Sequence, residues 1–64
     1  MNDDELLLAQ IEAHAGYAEQ AKPREVDLPA IAAVLSHLFQ HRSEKEILEQ
    51  LRTVFRARGL LWRE

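Results

Sequence analysis

Sixty-four residues without a cysteine make one domain that neither a disulfide nor a cysteine-ligated zinc ion can staple. Folding at this length removes only about 60% of the unfolded chain's surface from water, so stability must come from good helix packing, a partner or self-association. The formal net charge of −3 gives no bulk attraction to nucleic acid or an anionic membrane. No apolar run approaches the ~20 residues of a membrane span, and the acidic N-terminus is unlike a signal peptide, which makes the cytoplasm the default location.

The first predicted helix runs over about 4–21. Asn2 or Asp3 can cap it, and Asp4 and Glu5 suit the positive end of its dipole. Leu7, Leu8, Ile11, Ala15 and Ala18 recur at helical spacing and form its main apolar face. Leu6, Ala9, Ala13 and Tyr17 form a weaker face nearly opposite. A helix apolar on two sides either contacts two neighbours or carries alanines on its surface as good helix formers. The first reading gives a dimer or a binding partner. Gly16 inside this helix costs about 1 kcal/mol relative to alanine. His14, at the edge of the main face, reads as a partly buried packing residue.

Lys22–Asp27 reads as a linker, with Pro23 ending the first helix. Asp27 then caps a second helix over about 28–41, with Pro29 in its first turn. Leu28, Ile31, Ala32, Leu35, Leu38 and Phe39 make its apolar face, extended by Val34. The short turn that follows makes the second and third helices antiparallel neighbours.

The third helix, about 44–58, has the strongest signal. Ser43 and Glu46 form a capping box, and Ile47, Leu48, Leu51, Val54 and Phe55 line one face. Gly59 supplies the left-handed residue that ends such a helix. The tail Leu60–Trp62 is too apolar to be left in water, so it packs on the bundle or on a partner. There are no alternating runs that would predict strands.

Charge is unevenly placed. Residues 1–21 carry five acids and no base, whereas residues 42–64 carry six bases against four acids, so the first helix can complement the third within one chain or between two. Arg52 and Arg56, one turn apart, offer a basic face of the kind that meets phosphate or acidic protein. Glu49 interrupts that face, and Glu44 and Glu46 occupy the turn that a recognition helix usually turns toward bases. His37 and His41 have the four-residue spacing of two zinc ligands on a helix, but no third ligand is fixed by spacing. A solvated polar face is the plain alternative. No glycine-rich phosphate loop or nucleophile–base arrangement points to catalysis.

These observations predict an all-α, small three-helix bundle spanning 1–64, whose first helix or C-terminal tail would be the dimerising surface. The expected core is Leu7, Ile11, Ala15, Ala18, Ile31, Leu35, Leu38, Phe39, Ile47, Leu51, Val54 and Phe55, closed by Leu61 or Trp62. The expected function is a non-catalytic, cofactor-free protein-interaction module whose contact residues are Tyr17, Arg52, Arg56, Leu60, Leu61 and Trp62. Its partner is another protein or a second copy. The alternative is a nucleic-acid-binding transcriptional regulator using the arginines of the third helix.

Overall fold

The computed structural model describes residues 2–20 and 26–64. Three helices pack against one another: α1 (Asp3–Gln20), α2 (Leu28–Leu38) and α3 (Glu44–Ala57). Two short strands, β1 (Val26–Asp27) and β2 (Trp62–Arg63), complete the chain. Pro23, expected to end the first helix, and most of the expected linker lie outside the described residues.

Each helix begins where a side chain satisfies its free amides. Asn2 Oδ1 accepts from the Glu5 amide at 2.8 Å, and Asp27 Oδ1 from the Ala30 amide at 3.3 Å. At α3 the capping box is complete: Ser43 Oγ accepts from the Glu46 amide at 3.1 Å, and the Ser43 amide donates to Glu46 Oε1 at 3.0 Å. The Ser43 amide first, then the Ser43 hydroxyl, hold the Glu46 carboxyl below the usual range.

The end of α3 is a Schellman motif. The Leu60 amide donates to the Phe55 carbonyl at 2.9 Å and the Gly59 amide to the Arg56 carbonyl at 3.1 Å, with Gly59 at φ 68°. That geometry turns the chain back on the helix and buries Leu60, which is 5% exposed. It then delivers β2 parallel to β1, with Val26 opposite Trp62 and Asp27 opposite Arg63.

The expected absence of strands is therefore corrected. Two residues are too few to show an alternating pattern, and only the tertiary fold brings the two segments together.

The core contains Leu7, Ile11, Ala15, Ala18, Leu28, Ala32, Leu35, Ile47, Leu51, Phe55 and Leu60. All four residues expected from α1 are buried. Ile31, Phe39, Leu48, Val54, Val26 and Trp62 pack against this core while keeping part of their surface in water.

One core expectation is overturned, and the choice between Leu61 and Trp62 for closing the core falls to Trp62, which packs against it. Leu38 is 67% exposed, because the buried line of α2 runs through Leu28, Ala32 and Leu35 while Leu38 shares the exposed side of Val34. Leu61 is 64% exposed, because the turn after Gly59 points Leu60 inward and its neighbour outward.

Helix α2 also stops at Leu38 rather than near His41. Phe39, at φ −122° and ψ 74°, leaves helical geometry, and its side chain packs on the core. Its amide still donates to the Leu35 carbonyl at 2.8 Å, and the Arg42 amide donates to the Phe39 carbonyl at 3.2 Å, which closes the turn into α3.

Candidate interaction surfaces

The tail is held from several sides. Leu60 is buried and Trp62 is half-buried against the core. The Trp62 indole N–H donates to Glu64 Oε2 at 2.9 Å, which satisfies the polar end of a ring whose apolar body is packed. Arg52 reaches the same carboxylate, with Nε donating to Oε2 at 2.8 Å and Nη2 to Oε1, while Nη1 donates to Glu49. The Arg52 guanidinium, helped by the indole, holds the Glu64 carboxyl down to about 2, and Glu64 raises Arg52 in return. Of the contact residues expected in the tail, Leu60 is thus withdrawn into the core and Trp62 is largely committed to it. Leu61 alone faces outward.

The arginines divide in the same way. Arg52 is engaged by two carboxylates. Arg56 is exposed and has no ion-pair partner among the described residues. The basic face drawn from their spacing is accordingly reduced to one solvated guanidinium beside a neutralised one.

The acidic α1 meets the basic C-terminal third within one chain. Asp4 accepts from His41 Nε2 at 2.7 Å, from Arg42 Nε at 3.1 Å and from Arg42 Nη2 at 3.0 Å. Arg42 first, then His41, pull the Asp4 carboxyl down to about 2, and Arg42 rises correspondingly. Further along α1, Arg58 donates to Glu19 Oε1 at 2.6 Å near the helix end and to Glu12 at its middle, and both carboxylates raise it. Arg42 precedes α3 and Arg58 follows it, so α1 lies alongside α3 in the same direction, with α2 running opposite.

His37 and His41 do not form the helical pair that their spacing suggested. His37 belongs to α2, but the helix ends before His41, whose ring lies edge-on to Phe39 at 6.3 Å between centroids and bonds to Asp4. No group of three metal-capable side chains comes together among the described residues.

Besides Leu61, exposed apolar side chains lie on α1 and α2, among them Leu8, which spacing had placed in the main apolar face of α1 but which is 47% exposed at the edge of that face. On α1, Tyr17 is 71% exposed, and Leu6 at the other end of the same outer face is also exposed. On α2, Val34 and Leu38 are both more than half exposed, with Ile31 half-buried beside them. Spacing placed Val34 and Leu38 in the expected apolar face. No sequence signal said which edge of that broad face would stay in water.

No helix of the described residues is long and apolar enough to cross a membrane. No protein-family model matches this chain, and neither do the curated proteins or the solved structures compared with it.

Proposed function

We propose that the chain is a small, non-catalytic protein-interaction module: a cytoplasmic regulator, adaptor, co-chaperone or inhibitor that works by occupying another protein's surface or that of a second copy. The observation that carries this reading is the exposed side of α2. Val34 and Leu38 are four residues apart and share one helix side, 58% and 67% exposed. Full burial is worth about 1.5–3 kcal/mol for each such side chain, and more than half of that is left for a docking partner to recover. Tyr17 and Leu61 add exposed apolar surface elsewhere.

The test is a tagged capture from native lysate, with and without nuclease, on wild type and on the Val34→Glu, Leu38→Glu double variant. The expected result is one stoichiometric protein that survives nuclease and is lost in the variant, whose helical circular dichroism is unchanged. Equal capture by both proteins would count against the α2 surface.

Recovery that collapses on nuclease treatment would instead favour a nucleic-acid-binding regulator using Arg52 and Arg56. That reading has less support, because Glu49 and Glu64 already occupy Arg52. Its own check is a mobility shift that weakens steeply with salt and disappears in Arg56→Glu.

A further inference from the structure

We propose that α1 is a detachable clip, fastened along its length by solvent-exposed ion pairs and able to open from the rest of the fold before that rest unfolds. Among the described residues, its polar fastenings to the rest of the chain are these pairs: Asp4 to His41 and Arg42 at its start, and Glu12 at its middle and Glu19 near its end, both to Arg58. Its apolar hold is slight. Of the four core residues it supplies, Ala15 and Ala18 bury little, which leaves Leu7 and Ile11 as its large buried side chains. The remainder of the core comes from α2, α3 and the tail through Leu28, Ala32, Leu35, Ile47, Leu51, Phe55 and Leu60.

Those elements are joined by devices that do not involve α1. They are the tight turn from Phe39 to Ser43, the β1–β2 pairing, the Schellman turn at Gly59, and the Arg52 bonds to Glu49 and Glu64. Opening of α1 therefore leaves the other connections intact. It uncovers the inner side of α1 and the core surface beneath Leu7 and Ile11. Segments with few buried apolar contacts and exposed polar fastenings are those that open with the smallest free energy. Exposed ion pairs are screened by salt, so the clip is salt-sensitive in a way that the α2–α3 packing is not. The proposal does not depend on the interaction reading and can fail independently of it.

The experiment is residue-resolved amide hydrogen exchange on the full chain at low and at roughly 0.5 M salt, where the Debye length falls from tens of ångströms to a few. The amides of Ile11 and Ala15 should exchange faster than those of Leu51 and Phe55 at low salt, and the gap should widen at high salt. Arg58→Gln should lower protection in α1 by roughly three- to tenfold, the range expected for losing two exposed pairs, with little change in α3. A charge swap, Arg58→Glu with Glu12→Arg and Glu19→Arg, should restore it. If α1 and α3 amides exchange at one common rate that salt moves together, the chain opens as a single unit and the clip does not exist. Wild type alone decides this, whatever the variants do.

Discussion

Substituting Leu60 and Leu61 one at a time measures how the chain turns after Gly59. The two are adjacent leucines in a segment that looks uniformly apolar, yet Leu60 is 5% exposed and Leu61 is 64% exposed. Leu60→Ala removes three buried carbons, worth about 2.4 kcal/mol at roughly 0.8 kcal/mol per methylene. The cavity left behind adds to this, although a site at the edge of the core can partly collapse, so the expected loss is about 2.5–3.5 kcal/mol.

Against a total stability of roughly 3–10 kcal/mol for a domain of this length, that is a large fraction. It corresponds to a fall in Tm of about 20–25 °C. Leu61→Ala removes the same atoms from water-exposed surface and should change stability by less than about 0.5 kcal/mol. Urea and thermal unfolding followed by circular dichroism, with Trp62 fluorescence as a second probe of the tail, separate the two. Equal losses, or a larger loss for Leu61→Ala, would refute the assignment of Leu60 to the core and with it the Schellman turn that puts it there.

Three further outcomes follow from other parts of the fold. A Cβ added at Gly16 meets nothing within 4 Å, so Gly16→Ala should stabilise the chain by about 1 kcal/mol in urea unfolding; no gain would mean that another backbone needs that space. Ser43→Ala removes the hydroxyl that accepts from the Glu46 amide, while the backbone amide at 43 still donates to Glu46, and should cost about 1 kcal/mol by the same assay, with a loss near zero showing the cap to be ornamental. Acid titration should destabilise the fold through Asp4 and Glu64. Both carboxyls are depressed to about 2 from ordinary values of 3.8 and 4.5, so their contribution is full above the ordinary values and is lost as the pH falls from there through about 2. Asp4→Asn and Glu64→Gln should each flatten that acid limb, and an unchanged pH profile in both variants would show that these ion pairs do not stabilise the fold.

The sequence was most legible where a local device has one solution. Ser43 and Glu46 can cap only a helix that starts between them, and Gly59 supplies the positive φ that stops it, so α3 was placed to within a residue at each end. The stripe of α1 through Leu7, Ile11, Ala15 and Ala18 likewise named its buried face, although Leu8, read into the same face, is 47% exposed. Legibility fell on α2, whose apolar residues cover more of its circumference than one neighbour can bury. Spacing then identifies the face but not its edge, and Leu38 was assigned to the wrong side of that edge. The absence of glycine or proline after Leu38 hid the helix end, because what ends α2 is the turn of Phe39 toward the core.

The candidate surfaces show the same division. Composition recorded that the acids gather early in the chain and the bases late, but only the packed helices show which base each acid takes. Asp4 draws in His41 and Arg42, Arg58 spans Glu12 and Glu19, and Arg52 is spent on Glu49 and Glu64.

Sequence by itself determined the class of the fold, the extent of α3, the inner face of α1 and the lack of any segment able to cross a membrane among the described residues. Each of these is set by contacts between residues a few positions apart. Tertiary structure alone decided that Leu60 rather than Leu61 enters the core, that Val26 and Trp62 pair as strands, and that Val34 and Leu38 remain in water. Those outcomes depend on which surfaces are left over once three helices have buried what they can against each other, a competition among residues distant in the chain that no local pattern encodes.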